Sequence, residues 1–328
     1  YLDDDPTGTA SDVYTITATA TDDDAGVGSV STDVTVNNVA PTGSIAADAF
    51  NSEVTVTFGD VGSLDTHSAT VDWGDGLGAV SIGAVTSPFT DSNVYSAPGV
   101  YDVTVTVTDD DTGAITFTTQ VIGVGDCDCT KEESYWKKQF DPKQIEKGNT
   151  DFSAEELDAL LSVVNFGSGY FDGLTISDAH LVFDPAKSNN GGGHDSHSNG
   201  HDEGSGGNES HSANLSKFQE NAVAEALAAW LNFAKGAIGW DELIDVDGDS
   251  VGDMTFGALI VEVESLLSNP DATKADLKRA KNLAEAVNEH DEDNPACDDD
   301  GDDDDDDDQG HHDSDDHDSD DDDRGKKK

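Results

Sequence analysis

Two stretches in the first third of the chain alternate apolar residues with threonine. One begins at Tyr14 and the other at Tyr101, and they superpose at a constant offset of 87 residues. A period of two is typical of a half-buried antiparallel strand. Each stretch ends in Asp-Asp-Asp-x-Gly and is followed by another alternating run, so each copy predicts a β-hairpin closed by an acidic turn. The chain therefore contains an internal repeat with one domain per period.

Further short strands are expected between the two copies, where apolar alternation is interrupted by Gly, Asp and Ser. They are predicted at residues 42–48, 53–59, 68–73 and 79–86. About seven short strands within one repeat are typical of an immunoglobulin-like β-sandwich.

Residues 41–122 carry four short motifs in order: Trp73-Gly-Asp-Gly76, Val94-Tyr95, Pro98-Gly-Val-Tyr101 and the alternating run that ends at Asp109. In motif and spacing this segment resembles the PKD (polycystic kidney disease) repeat, which implies a β-sandwich. Residues 1–38 resemble only the second half of such a repeat. We therefore expect the chain to begin within a domain, whose remaining strands are either missing by truncation or supplied by a neighbouring molecule.

After Gly125 the apolar period changes to 3.6, which predicts helices. Ser153 and Glu156 form a capping box ahead of the first amphipathic helix, and Thr273 with Asp276 caps the last. Two more helices are expected at residues 214–235 and 256–267. Each of these helices has an apolar stripe along one face, and such stripes are buried only by packing the helices against one another. The chain after Gly125 is therefore predicted to form a helical module.

Two motifs in the helical module resemble a family of extracellular bacterial C-terminal modules. They are Ser134-Tyr-Trp-Lys137 and Leu227-Ala-Ala-Trp-Leu-Asn-Phe-Ala-Lys-Gly236. The resemblance implies a location at the cell surface rather than a catalytic mechanism.

The predicted fold class is multidomain, with all-β immunoglobulin-like (PKD-like) repeats followed by a mainly α-helical module. Residues 1–38 are assigned to the C-terminal half of one repeat and residues 39–124 to a complete repeat. The helical module is assigned to 125–297, with a flexible Gly- and His-rich insertion at 188–213. The tail at 298–328 holds 18 Asp, and like charges at that density predict disorder.

The charge distribution restricts the partners of the chain. Its formal net charge is −55, which disfavours nucleic acid and anionic membrane as partners. Residues 1–130 contain 21 acidic residues and no Lys or Arg, so salt bridges do not neutralise this part. Bound divalent cations or a saline environment are the two candidates for screening it. The absence of any run of about 18 apolar residues predicts no membrane insertion within this chain.

The strongest candidate site is an acidic loop before the third predicted helix. Alternating carboxylates around a glycine direct oxygen ligands to one point, as Ca²⁺ requires. The spacing resembles the calcium loop of thrombospondin type-3 repeats; an EF-hand would need Glu where Phe256 stands. The predicted calcium ligands are Asp245, Asp247, Asp249, Asp253 and the backbone carbonyl of Val251.

The two acidic turns of the repeat are a second, weaker calcium prediction. Their candidate ligands are Asp22 and Asp24 in the first copy, and Asp109 and Asp111 in the second. The alternative is that Asp serves there only as a turn former.

The cysteines and the missing catalytic motifs complete the functional prediction. A disulfide from Cys127 or Cys129 to Cys297 would close the helical module and would indicate an oxidising compartment. The sequence has no Gly-x-Ser-x-Gly, Walker glycine loop or His-Glu-x-x-His, which favours a protein that is not an enzyme.

We expect a non-enzymatic extracellular or cell-surface structural or adhesion protein stabilised by Ca²⁺, a class that includes filament and surface-layer components. The expected partners are other surface proteins, copies of itself or extracellular polysaccharide. Two alternatives stay open: a substrate-binding accessory segment of a larger secreted hydrolase, and cation sequestration by the Asp-rich tail.

Overall fold

The computed structural model describes residues 8–125, 129–185 and 209–290, and the side chains of helix 209–234 only from Lys217 onward. The predictions for the tail at 298–328 and for residues 188–208 therefore lie outside the described residues. The end of the predicted insertion is helical, because the helix that follows it begins at Glu209 rather than at the expected Asn214.

The first hairpin pairs β1 (Ser11–Thr21) with β2 (Val27–Asn37) in antiparallel register. Its turn has the same hydrogen bonds as the turn of the second copy. Asp22 N–H donates to Gly26 O at 2.9 Å, and Asp109 N–H donates to Gly113 O at 2.9 Å. The repeat that the sequence predicted is thus confirmed at the level of the hairpin and its turn.

Seven further strands form two facing sheets, with the orders β3-β4-β7 and β6-β5-β8-β9. The four predicted strand positions are confirmed within two residues at their ends. Buried valines of both sheets, among them Val54, Val105 and Val121, form the core. The strands are β3 (Thr42–Asp48), β4 (Glu53–Gly59), β5 (His67–Asp72), β6 (Val80–Val85), β7 (Phe89–Ser92), β8 (Gly99–Asp109) and β9 (Ala114–Gly123).

The Trp-Gly-Asp-Gly motif has a structural role in the sandwich. Trp73 is buried, and its carbonyl accepts a hydrogen bond from the Tyr95 hydroxyl at 2.9 Å. Gly74 has φ of +71°, and a Cβ there would lie 2.6 Å from Asp102 O, so only glycine fits. Burial raises the pKa of Tyr95 to about 12, which keeps its hydroxyl protonated as a donor. The motif therefore fixes the turn after β5.

The helical part contains seven described helices. The capping boxes at Ser153 and Thr273 are confirmed, since each side chain accepts from the N3 backbone N–H and the N3 carboxylate accepts in return. Three short helices, at Glu133–Gln139, Pro142–Lys147 and Ile176–Phe183, were not predicted from the sequence. The helices are α1 (Glu133–Gln139), α2 (Pro142–Lys147), α3 (Ala154–Gly167), α4 (Ile176–Phe183), α5 (Glu209–Ala234), α6 (Phe256–Leu267) and α7 (Lys274–Asn288).

Helix α5 lies at the centre of the bundle and contacts α1, α3, α4, α6 and α7. Its alanines and leucines from Ala226 to Leu231 are buried, and the small side chains allow several helices to approach it closely. Asn232, on the same helix, is fully buried and bonds to Trp136, Lys131 and Asn288. The two motifs of the helical module therefore meet in its core.

An aromatic contact joins the sandwich to the helices. Phe50, in the 3₁₀ turn after β3, stacks on Trp240 with ring centroids 3.6 Å apart and an interplanar angle of 5°. Asn51 Nδ2 donates to Asp241 Oδ2 at 3.1 Å, and Gly125 N–H donates to Ala234 O at 3.0 Å. We call this set of contacts, made by Phe50, Asn51 and Gly125 with α5 and residues 240–241, the junction.

Candidate metal-binding loop

The predicted calcium loop lies inside a two-stranded ribbon. Strand β10 (Leu243–Ile244) precedes the loop, and β11 (Met254–Thr255) follows it and pairs with β10. Helix α6 begins directly after β11, and the Thr255 hydroxyl caps it by accepting from Ala258 N–H at 3.3 Å. Both ends of the loop are therefore held by regular structure.

Three of the predicted ligands come together. Carboxylate oxygens of Asp245, Asp247 and Asp253 lie within 4.8 Å of one another. Separations of this size suit oxygen ligands that share one Ca²⁺ at about 2.3 to 2.6 Å. The donor set, three hard carboxylate oxygens, fits a calcium ion and does not suit a metal that prefers sulfur or imidazole.

The Asp245 carboxylate organises the loop backbone. It accepts from Gly248 N–H at 2.7 Å and from Ser250 N–H at 2.5 Å. Desolvation acts to raise the pKa of Asp245, but these backbone hydrogen bonds outweigh it, so the pKa lies below its usual range. The Asp245 carboxylate consequently remains ionised, the form that binds a cation, down to more acidic pH than an ordinary aspartate.

The other two predicted ligands do not belong to the three-carboxylate group. Asp249 Oδ1 accepts from the backbone N–H of Val251 at 2.9 Å, which closes a local turn. Ser250 lies between them with φ of +66°, so the chain reverses there. The assignment of Asp249 and of the Val251 carbonyl as ligands stays a prediction.

The loop is tied to the aromatic residue of the junction. Beyond the ribbon, Phe256 N–H donates to Glu242 O at 2.8 Å and Gly257 N–H donates to Trp240 O at 2.9 Å. A Cβ at Gly257 would lie 2.5 Å from the Trp240 ring, so glycine permits this close approach. These contacts hold the Trp240 backbone against the start of α6, and the Trp240 ring stacks on Phe50.

The acidic turns use their first carboxylate within the turn. Asp22 Oδ1 accepts from Gly26 N–H, and Asp109 Oδ1 accepts from Gly113 N–H, both at 2.6 Å. In the described part of the chain, Asp22, Asp24 and Asp111 belong to no group of three converging metal-type ligands. These contacts are what a turn-forming role requires, and calcium at the turns stays a prediction.

A second group of carboxylates contains the predicted ligand Asp109 together with two residues that sequence reasoning missed, Asp60 and Asp65. Oxygens of Asp60, Asp65 and Asp109 lie within 4.8 Å of one another, beside His67, whose Nε2 is 3.0 Å from Asp60 Oδ2. Asn38, at the end of the first hairpin, donates to Asp109 at 3.1 Å. Asp60 and Asp65 lie in the loop between β4 and β5, and Asp109 ends β8, so no local spacing in the sequence could have revealed the group.

Cys129 is disulfide-bonded. Cys127 and Cys297 lie outside the described residues, so the pairing stays a prediction.

The described residues define a protein that joins an antiparallel β-sandwich to an α-helical bundle, with an acidic loop near the junction. No protein-family model and no curated protein matches the chain. Within the described residues, no helix is long and apolar enough to cross a membrane.

Three solved PKD domains are similar to the chain, and each aligns with about a quarter of it. The PKD1 domain of Vibrio anguillarum Epp is 24% identical and covers 27% of this chain and 100% of its own (TM-score 0.21). The PKD1 domain of the Vibrio cholerae metalloprotease PrtV is 24% identical and covers 26% and 98% (0.20). The PKD domain of the human VPS10 domain-containing receptor SorCS2 is 22% identical and covers 27% and 76% (0.18).

Proposed function

We propose that this chain is a non-enzymatic, extracellular structural or adhesion segment in which Ca²⁺ at the 245–253 loop stiffens the connection between a PKD-like sandwich and the helical bundle. The observation that carries the proposal is the pair of backbone hydrogen bonds from Phe256 and Gly257 back to Glu242 and Trp240. Through them a cation in the loop acts on the stacked Phe50–Trp240 contact.

The charge of the chain supports this role for a cation. Three carboxylates held within 4.8 Å repel one another, and a divalent ion converts that repulsion into attraction. A disulfide at Cys129 is typical of proteins exposed to an oxidising environment. Extracellular fluids also supply Ca²⁺ at concentrations that suit weak oxygen sites.

Thermal unfolding of the full chain tests the proposal. Ca²⁺ should raise the unfolding temperature relative to chelator, and a site that binds only the folded state gives about 2.7 kcal/mol at a hundredfold excess of ion over Kd. Asp247→Asn should abolish the rise, because Asn keeps the oxygen that accepts from Asp249 N–H at 3.2 Å but loses the charge.

Asp172→Asn is the matched control, since it removes one exposed carboxylate far along the chain from the loop and leaves the tail aspartates unchanged. It should retain the full response to Ca²⁺. If NaCl added to the chelated protein stabilises it as much as Ca²⁺ does, the acidic residues are only screened and the calcium role is wrong.

A further inference from the structure

The two acidic turns of the repeat have the same backbone structure. In the first turn (Asp22–Gly26) and in the second turn (Asp109–Gly113), the N–H of the leading aspartate donates to the carbonyl of the closing glycine at 2.9 Å. The leading carboxylate accepts from the glycine N–H at 2.6 Å in both turns. The residue before the glycine has a positive φ, +65° at Ala25 and +75° at Thr112. A difference in what contacts the two turns therefore comes from the rest of the fold.

The second turn is covered by the linker between the two repeats, residues 38–41. Asn38 Nδ2 donates to both carboxylate oxygens of Asp109, at 3.2 and 3.1 Å, and Asp109 is only 5% exposed. A Cβ at Gly113 would lie 2.7 Å from Asn38 Nδ2 and 2.9 Å from Ala40 Cα, so glycine permits the close approach of the linker. The second turn is thus an occupied docking site for an amide side chain and the backbone that follows it.

The first turn presents the same groups to solvent. Every residue from Asp22 to Gly26 is exposed, and a Cβ at Gly26 would lie nearest to Asp22 of the same turn. Asp22 Oδ1 accepts from the N–H groups of Asp24 and Gly26 at 3.1 and 2.6 Å. The matching bonds of the second turn are 3.0 and 2.6 Å long. The Asp22 carboxylate is therefore held in the orientation that receives a linker in the other copy.

The charge of the repeats selects the chemistry of the occupant. Residues 1–130 hold 21 acidic residues and no Lys or Arg, so a carboxylate buried between two segments of this kind has no basic side chain to pair with. An uncompensated buried carboxylate is costly. The amide of asparagine supplies two N–H donors without a charge, and Asn38 uses it in this way at Asp109.

We propose that the first turn is a docking site for an asparagine-bearing linker, the one that leads into the repeat to which β1 and β2 belong. The second turn already holds the linker that leads into its own repeat, since Asn38 precedes β3. Each acidic turn would then fix its repeat against the preceding one, as neighbouring units do in repeat proteins. The inference goes beyond the role proposed for the 245–253 loop and does not depend on it.

Hydrogen exchange of the full chain in chelator first measures the occupied site. Asn38→Ala should make the amides of the second turn exchange about tenfold faster, because Asp109 loses its amide donor. Asn37→Ala is the matched control, since Asn37 is the exposed neighbour at the end of β2. It should leave the exchange rates of the second turn unchanged.

A longer chain tests the first turn itself. Placing a second copy of residues 36–87 ahead of Tyr1 keeps the 87-residue period, because residue 88 is equivalent to Tyr1, and supplies a linker of known sequence. The amides of the first turn should then exchange at least about tenfold more slowly than in the parent chain. Asn38→Ala in the added copy should reverse about tenfold of this protection, and Asn37→Ala in the added copy should reverse none of it.

Four results would overturn the inference. The added segment could leave exchange at the first turn unchanged, or the two added-copy variants could behave alike. Protection of the first turn could require Ca²⁺, which would assign it to a cation. Sedimentation could show that the parent chain self-associates and that Asp22→Asn abolishes the association, which would assign the turn to a second molecule. Because the measurements are made in chelator, failure of the calcium role at the 245–253 loop leaves their outcome unaffected.

Discussion

Asn232 shows how a single polar residue can organise the helical bundle. Its Oδ1 accepts from the Trp136 indole N–H at 3.2 Å and from Lys131 N–H at 2.9 Å. Its Nδ2 donates to Lys131 O and to Asn288 Oδ1 at 2.8 and 3.0 Å. All of its hydrogen-bonding capacity is therefore used in a buried site, which fixes the segment before α1 against α5 and α7.

Asn232→Ala should destabilise the chain by about 2–4 kcal/mol, because it leaves several buried donors and acceptors unpaired at once. Urea unfolding followed by tryptophan fluorescence measures the change. Asn282→Ala, at an exposed position on α7, is the control and should stay within about 0.5 kcal/mol of the parent. A similarly small effect for both variants would contradict the structural role of Asn232.

Glu225, next to the hydrogen-bond network of Asn232, gives the helical part a defined pH response. Desolvation raises the pKa of Glu225 above its ordinary 4.5 and exceeds the opposing effects of Asn288 and Lys281. A carboxyl whose pKa is raised in the folded state binds protons more readily folded than unfolded. Its ionised form therefore reduces stability at neutral pH, and that penalty is relieved as the pH falls through the folded pKa toward 4.5.

Glu225→Gln removes this titration, so its effect should depend on pH. The unfolding free energy of the variant minus that of the parent should become more negative as the pH falls from neutral toward 4.5, since the parent alone gains from protonation. Chemical denaturation at several pH values measures the difference. A difference that is constant with pH would contradict the raised pKa.

At the scale of elements, the two copies of the hairpin have the same backbone pairing in different surroundings. Val103, Val105 and Val107 of β8 are fully buried by β5 and the facing sheet. The equivalent position to Val103 in the first copy, Ile16, is 45% exposed, and Val30, equivalent to Phe117, is 71% exposed. Alternating residues and the Asp turn form the hairpin locally, but burial of its apolar face depends on strands that pack against it.

Backbone amides of β1 and β2 should exchange with deuterium much faster than those of β8 and β9, because an isolated two-stranded hairpin is marginally stable. Exchange followed by mass spectrometry on peptides from both hairpins tests this, and the identical turn geometry makes β8–β9 an internal reference. Equal protection of the two hairpins would mean that the first one is covered in solution.

At the scale of the whole molecule, the junction decides whether the sandwich and the bundle move as one body. Phe50 contributes the sandwich side of an aromatic cluster that includes Trp230, Phe233 and Trp240. Stacked and tilted ring pairs contribute roughly 0.5–1.5 kcal/mol each beyond their burial.

Phe50→Ala should destabilise the chain by about 2–3 kcal/mol, less than a fully buried phenylalanine, and should broaden the distribution of distances between the two parts. Small-angle X-ray scattering measures the broadening. Phe89→Ala, which weakens packing within the sandwich only, should leave the scattering profile unchanged. An unchanged profile for Phe50→Ala would show that other contacts set the orientation.

The sequence by itself determined the features that depend on near neighbours in the chain. Alternation predicted the strands, the Ser153 and Thr273 capping boxes predicted helix starts, and the Asp spacing predicted the loop, because each rests on bonds between residues a few positions apart. The short helices α1, α2 and α4 gave too few turns for a periodic signal.

Only the tertiary structure decided which distant residues meet. Residues from separate elements meet in three places. These are the Phe50–Trp240 stack, the hydrogen-bond network of Asn232, and the group of Asp60, Asp65 and Asp109. Local hydrogen bonding does not specify such pairings, since they follow from how apolar faces are buried against one another once the sheets and helices have formed.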